Sequence, residues 1–526
     1  MDPVPGVPLS TLLNALPWPV QRPIPDPLIR GIVLDSRQVR PGDLFMVLVG
    51  GNVDAHRYIP DAVQRGAAAV VGSRSAENLD VPYIQIAKDR ARSTLAKLSA
   101  ALYGNPARQM VMIGVTGTDG KTTTSNLIYQ ILRAAGISVG LISTVNAIIG
   151  DETIDTGFHV TTPEAPEVQR YLARMHAAGI THVILEATSH GLAQERVAEC
   201  DFDLGVVTNI THEHLDYHGS YEAYRAAKAR LFTSLSRTPA KAISPPRAAI
   251  LNRDDQSYAF LSGVTQVAQI SYGFDIQSDW QPFEISMSLN SSHFVAKGKD
   301  HIGQPVRLPL AMSLVGAYNV SNALAAVACC VQGLGIQLHA VRQGIASLPG
   351  VPGRMERIDL GQPFTAIVDF AHTPNALTRT LQAARQLTSG RVIAIFGSAG
   401  LRDRQKRRMM AEVSAELADI SILTAEDPRT ESLSSILEEM AQGALSKGGV
   451  EGQSYWRVHD RGEAMRLAVE LAQPGDLVIA CGKGHEQSMC FGEVEYPWDD
   501  RVALQAALSE LLGVPGPAMP FLPPGD

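Results

Sequence analysis

An α/β architecture in three domains is the fold class that the sequence predicts, and three observations predict it. Short apolar, strand-like runs alternate with helix-like stretches along nearly the whole chain, the pattern of helices packed on parallel sheets. The 526 residues suit three domains at roughly 150 residues each. Two turn-rich stretches, Gly104-Asn-Pro-Ala107 and Leu348 to Arg354, divide the alternation into three blocks. The expected domains are a small N-terminal α/β domain (1–107), a central domain with a P-loop-ATPase-like parallel sheet (108–348), a Rossmann-like C-terminal α/β domain (349–512) and a Pro-rich tail (513–526).

In the first block, apolar runs at Gly31 to Leu34, Leu44 to Val49 and Ala67 to Val71 read as strands, and Tyr58 to Arg65 and Arg90 to Leu102 as helices. In the second, strands are expected at Val111 to Val115, Val139 to Ile142, His182 to Leu185 and Leu204 to Val207. Arg237-Thr-Pro-Ala-Lys-Ala-Ile-Ser-Pro-Pro-Arg247 reads as a surface insertion or mobile loop. The third block repeats the pattern at Thr365 to Asp369, Arg391 to Phe396, Ile420 to Leu423 and Leu477 to Ala480. From Gly513 onward five prolines preclude a helix, and the tail is expected to be disordered.

Composition excludes several classes. Hydrophobic content of 45% and charged content of 19% are ordinary for a globular chain. A net charge of -8 without a basic stripe argues against nucleic acid as the main partner. No run of apolar residues is long enough to span a membrane, and no secretory leader is expected at the N-terminus. The five cysteines form no CxxC pair, which fits a reducing cytoplasm.

The most informative chemistry is Thr116-Gly-Thr-Asp-Gly-Lys-Thr122, entered by the apolar run Val111 to Val115 and followed by Thr123 and a helix. Glycines at 117 and 120 let backbone N–H groups of Gly117, Thr118, Asp119 and Gly120 curl around phosphate oxygens; Lys121 adds a mobile charge and the Thr122 hydroxyl can ligate Mg²⁺. Glu186 closes the run Val183-Ile-Leu185, where α/β proteins deliver carboxylates to a nucleotide metal, although a helix cap is the plain alternative. Asn209-Ile-Thr-His-Glu-His-Leu-Asp-Tyr-His-Gly219 places three histidines and two acids directly after an apolar run, a costly cluster unless it binds something. Zinc is the rival to a nucleotide metal, but thiolates and a helix-spaced His pair are missing.

Together the phosphate loop, Glu186-Ala-Thr-Ser-His190, His214-Leu-Asp-Tyr-His-Gly219 and Tyr224-Arg-Ala-Ala-Lys-Ala-Arg-Leu-Phe232 resemble the Mur ligases, the ATP-dependent amide-bond formers of peptidoglycan precursor synthesis. Val368-Asp-Phe-Ala-His-Thr-Pro374, Glu426-Asp-Pro-Arg-Thr-Glu431 and Gly482-Lys-Gly-His-Glu486 are similar to the MurE type within that family, which adds a diamino acid to UDP-N-acetylmuramoyl-L-alanyl-D-glutamate.

The resemblance implies that the three domains bind the UDP-sugar, ATP and the incoming amino acid in that order. It implies uridine-side contacts at Ser36 and around Asp54-Ala-His56, where the family has D-G-H. Thr161, Thr162, Ser189 and Arg196 would hold the peptide end of the UDP-substrate, and Asn319, Asn322, Arg354 and Asp369 would lie near the base and ribose of ATP. Catalysis would rest on Lys121, Glu186, His214 and Lys228, with Thr122, Glu186, His214 and a carbamylated Lys228 around Mg²⁺. The reaction implied is phosphorylation of the substrate carboxylate, followed by amine attack through a tetrahedral intermediate. A monomer is expected.

Arg402, Glu426, Asp427, Pro428, Arg429, Gly482 and Glu486 match the amino-acid-binding positions. Diaminopimelate-adding members carry D-N-P-R, whose arginine can clamp a distal carboxylate in bidentate fashion. Arg429 is retained here, whereas Asp427 replaces the asparagine and would suit the ammonium of lysine or ornithine. In Gly397-Ser-Ala-Gly-Leu-Arg-Asp403, Leu401 replaces an acid of the family's G-G-D-R-D, depriving Arg402 of a local partner. Meso-diaminopimelate is the expected substrate and lysine or ornithine the alternative. A folylpolyglutamate-synthetase-like ligase would share the phosphate loop but not the later motifs, and a non-catalytic nucleotide-binding regulator would have no need of Glu186, His214 and Lys228 together.

Overall fold

A computed structural model of the chain describes every residue except 1–5, 21–24, 50–53, 77, 145, 156–161, 212, 214, 244, 289–290 and 524–526. Each of the three blocks contains a predominantly parallel sheet. The N-terminal sheet runs, in spatial order, Gly31–Val33, Asp43–Met46, Ala69–Gly72 and Tyr83–Gln85, all parallel. Helix Ala91–Leu102 packs its buried Leu95, Leu98 and Leu102 into the core of this unit.

The central sheet has eight strands, in the order Glu152–Asp155, Asn146–Ile149, Val139–Ile142, His182–Glu186, Val111–Thr116, Leu204–Val207, Ala248–Asn252 and Ala268–Tyr272. Val111–Thr116 is buried at every position, as a strand covered by helices on both faces must be. The chain leaves it for one side of the sheet and later returns on the other, so Gly117 to Gly120 sits at the point where strand order reverses, the usual crevice for a ligand. A separate antiparallel sheet, Gln281–Met287, Ser292–Lys299 and Pro305–Met312, packs on helix Ala317–Val327.

The C-terminal sheet runs Glu356–Ile358, Thr365–Asp369, Leu477–Cys481, Val392–Phe396, Ile420–Leu423 and Tyr455–Arg457, parallel apart from its first strand. Gly482, Gly397 and Glu426 all lie just past the carboxyl ends of its strands, so the recognition motifs converge on one edge.

Two expectations are corrected. The Pro-rich segment is pinned rather than mobile: Lys241 is fully enclosed and donates to the Asp203 carboxylate at 2.7 Å and to the carbonyls of Met110 and Asp201. Burial forces such an ammonium to find partners, and these lie under the central sheet. The described part of the tail, to Pro523, is likewise docked, for Leu522 is 5% exposed within the C-terminal core and Met519 packs against it. Its prolines stop helix Asp500–Leu512 without preventing apolar side chains from docking. Among the described residues no helix is long and apolar enough to cross a membrane.

Candidate functional site

The phosphate loop has the geometry its glycines require. Gly120 adopts φ +81°, and a Cβ there would meet Asn322 Oδ1 at 2.4 Å; at Gly117 a Cβ would meet Thr208 Oγ1 at 1.8 Å. Helix Lys121–Ala134 begins directly after the loop, so its free N–H groups face the crevice. Lys121 Nζ folds back onto the carbonyls of Thr118 (2.8 Å) and Gly117 (3.1 Å). Thr122 and Thr123 are buried in the first turn, and the Thr118 hydroxyl shares a 2.9 Å hydrogen bond with Tyr224.

Glu186 is completely buried at the end of its strand. Its Oε2 accepts from Thr144 (2.9 Å) and Thr122 (3.1 Å), while Oε1 has no hydrogen-bond partner among the described residues. Burial raises its carboxyl pKa, opposed chiefly by Lys121. A buried carboxylate oxygen left bare beside a helix-terminal hydroxyl fits a hard cation that completes its shell with phosphate and water. Lys228, 2% exposed, donates to the Gly117 carbonyl at 2.6 Å. Burial, and then the neighbouring Lys121, drive its amine well below the ordinary lysine value. Thr161 and His214 lie outside the described residues.

Behind Glu186 the peptide-end residues come together. Thr162 Oγ1 donates to the Glu186 carbonyl at 3.0 Å, and Arg196 donates to the Thr162 carbonyl at 2.7 Å while pairing with Glu164 at 3.0 Å. Ser189 opens the helix Ser189–Ala193, buried, with its hydroxyl unpartnered among the described residues. Ser36 stands apart in the N-terminal domain, where its hydroxyl bonds the Asp61 carboxylate. Asp54 accepts from the His56 ring at 2.6 Å, so the Asp-Ala-His turn closes on itself without the glycine.

Asn319 and Asn322 are buried on helix Ala317–Val327 and bonded to each other at 3.2 Å. Arg354 stacks over the Phe370 ring at 4.3 Å, its Nε unpartnered among the described residues. Asp369 accepts from the N–H groups of Met355 and Ala371 and from Thr380, so it braces the Arg354 loop. A cleft of about 280 Å³ opens between the central and C-terminal domains, lined by Asn209, Asn252, Asp255, Tyr318, Asn322 and Arg379 among others.

At the C-terminal sheet edge, Asp427 and Arg429 hold φ +43° and +55°, strained for non-glycine residues and a mark of a functional turn. Asp427 accepts from Lys483 and from the Cys490 N–H, both at 3.0 Å, and Lys483 also pairs with Glu486 at 2.6 Å. The Asp427 charge is therefore already met inside the protein. Arg429 Nε and Glu426 Oε2 are buried without partners among the described residues. A Cβ on Gly482 would meet Glu426 at 2.6 Å, and one on Gly400 would meet the Pro428 carbonyl at 2.0 Å, so the three loops interlock. Arg402 is exposed at the rim.

Several contributors escaped the sequence reading. Asn209 accepts from the Asp119 N–H at 3.0 Å, and its position just past a buried strand was the available signal. Arg407, fully enclosed, holds Glu431 with two 2.7 Å bonds and Glu439 at 3.0 Å, tying the 397–403 loop region to the 426–431 turn.

Three domain families match the chain: the Mur ligase family catalytic domain over residues 28–103, the Mur ligase middle domain over 115–330 and the Mur ligase glutamate ligase domain over 353–484. The chain is 41% identical to a UDP-N-acetylmuramyl-tripeptide synthetase of Roseiflexus sp., covering 96% of this chain and 99% of that protein. It is 39% identical to a UDP-N-acetylmuramoyl-L-alanyl-D-glutamate--2,6-diaminopimelate ligase of Geobacillus thermodenitrificans, covering 95% and 99%. A solved ligase of that same name superposes with a TM-score of 0.64 at 29% identity, covering 95% of this chain and 99% of that one. MurF from Acinetobacter baumannii, 21% identical with a TM-score of 0.65 over 97% of this chain and all of that one, shares the fold.

Proposed function

The chain belongs to the Mur ligase family, and from that premise we propose that it is an ATP-dependent ligase joining meso-diaminopimelate to UDP-N-acetylmuramoyl-L-alanyl-D-glutamate. The observation that carries the reading is Glu186: one carboxylate oxygen is held by Thr122 and Thr144, the other is bare among the described residues, and the peptide-end residue Thr162 leans on its backbone. An acid of the UDP-dipeptide seated by Thr162, Ser189 and Arg196 would face a nucleotide held by the phosphate loop. Its carboxylate takes the γ-phosphoryl group, and the docked amine then displaces phosphate. Lys121, released from the Gly117 and Thr118 carbonyls, neutralises charge on the transferred group.

Thr122 and Glu186 would hold Mg²⁺ with His214 and a carbamylated Lys228, and the ion would supply further charge neutralisation there. Lys228 suits that modification because burial, and then Lys121, push its pKa down and so favour the neutral amine, the form that adds CO₂. Intact mass of the enzyme, measured in bicarbonate without acid, is expected to show one added carboxylate that the Lys228→Arg chain lacks; a bare amine in active enzyme contradicts this.

Diaminopimelate is favoured over lysine because Asp427, the residue that would suit a lysine ammonium, is occupied by Lys483 and Cys490. Arg429 keeps an unpartnered guanidinium nitrogen for a distal carboxylate. Incubation with ATP, the UDP-dipeptide and an equimolar mixture of diaminopimelate, lysine and ornithine is expected to give the diaminopimelate product by mass. Predominant lysine or ornithine product overturns the assignment.

A further inference from the structure

The motif Val368-Asp-Phe-Ala-His-Thr-Pro374 and the residue after it have so far received no role beyond bracing Arg354. We propose that Asn375 is a positioning residue for ligation: it locks the C-terminal domain onto the phosphate loop through the Asp119 side chain. The proposal rests on the ligase reading given above.

Asp119 is held in two halves by two domains. Its backbone belongs to the central domain: the N–H donates to Asn209 Oδ1 at 3.0 Å, and the carbonyl accepts from Thr208 Oγ1 at 2.5 Å and Asn209 Nδ2 at 3.1 Å. Its carboxylate faces the other way. Asn375 Nδ2 donates to Asp119 Oδ2 at 3.2 Å and reaches Thr211 Oγ1 at 3.5 Å, across 256 and 164 residues of sequence. Asn375 lies in the first turn of helix Pro374–Leu387, capped by the Thr373 hydroxyl on the Ala376 N–H, so a helix N-terminus also points its dipole toward the carboxylate. Immediately before it, His372 Nε2 stands 3.3 Å from Glu213 Oε1 of the central domain.

Asp119 sits between Thr118 and Gly120, whose N–H groups form the cradle. When the C-terminal domain moves away, the backbone bonds of Asp119 survive and the side-chain bond does not, leaving a carboxylate beside the anionic phosphates. When the domain closes, the Asn375 amide and helix terminus draw that negative charge outward, and the docked amine arrives with the same movement. Arg354, from the C-terminal side, lies within electrostatic range of Asp119. Loop geometry and amine delivery are thereby coupled through one hydrogen bond.

A charge swap tests the lock. Asn375→Asp opposes two carboxylates, yet aspartate is favoured in a helix first turn, so the helix itself is not weakened. In the full chain, N375D is expected to lower kcat/KM for ATP by about tenfold or more, and D119N/N375D, which restores a donor–acceptor pair with the roles exchanged, is expected to recover most of the loss. Independently of turnover, small-angle scattering with a hydrolysis-resistant ATP analogue and Mg²⁺ is expected to show compaction of the parent and the double variant but not of N375D. An N375D chain that ligates and compacts like the parent, or a double variant no better than the single, overturns the lock. A parent that compacts and needs Asn375 to do so, yet forms no tripeptide, sustains the lock and refutes the ligase reading instead.

Discussion

On the proposed reading, Glu186 is the residue on which the chemistry turns. Replacing it with glutamine keeps an acceptor for Thr122 and Thr144 but removes the charge, so the fold is expected to persist while ATP-dependent phosphate release falls about a hundredfold. Unchanged release would remove Glu186 from the mechanism. His485 makes a second prediction. Burial, followed by Arg354 and other nearby cations, pushes its pKa down to about 3, so the ring is neutral in the folded chain and protonates near its ordinary value of 6.5 when unfolded. The unfolded state then binds the extra proton, and this contribution to stability is intact above pH 6.5 and drains as pH falls toward 3. Between pH 7 and 5 the unfolding free energy from denaturant titration is expected to drop more for the parent than for His485→Gln, by roughly 1–2 kcal/mol; equal drops contradict this. Lys121, Thr122 and Glu186 were legible because glycines and strand ends announce backbone geometry. Arg407 was not, because which arginine of Arg402, Arg404, Arg407 and Arg408 turns inward depends on the phase of helix Gln405–Leu417 against Glu431 and Glu439.

Parallel strands buried on both faces write themselves as unbroken apolar runs, which is why Val111–Thr116, Thr365–Asp369 and Leu477–Cys481 were readable. Pro305–Met312 was not, although alternate residues are buried, since Pro305 and Pro309 argue against a strand; it survives as an edge strand paired only with Ser292–Lys299. The loop carrying Lys241 was misread because proline content speaks of backbone freedom and not of one side chain reaching inward. Its buried pair with Asp203 predicts that Lys241→Ala lowers the stability of the central domain by about 3 kcal/mol in urea, since the Asp203 charge is left uncompensated. A loss within experimental error would show the segment to be as free as its composition suggests.

Across the whole molecule, polar contacts that no local pattern encodes help to join the three domains. Arg92 with Glu164 (2.7 Å) and Lys97 with Glu199 (2.6 Å) join the N-terminal and central domains, while Asn375 with Asp119 (3.2 Å) and His372 with Glu213 (3.3 Å) join the central and C-terminal ones. The order of the motifs along the chain could be read, but the contacts that join their domains could not, because these depend on pairs separated by tens to hundreds of residues. The central claim, on the proposed reading, is that an acid activated on the middle domain is captured by an amine docked on the last, and that the two steps are coupled. Its most direct test is the stoichiometry of phosphate release with ATP, the UDP-dipeptide and diaminopimelate supplied singly, in pairs and together. One phosphate per tripeptide formed, only in the complete mixture and absent from Lys121→Ala, is the predicted result. Tripeptide formed without phosphate release, or full turnover by Lys121→Ala, would contradict it.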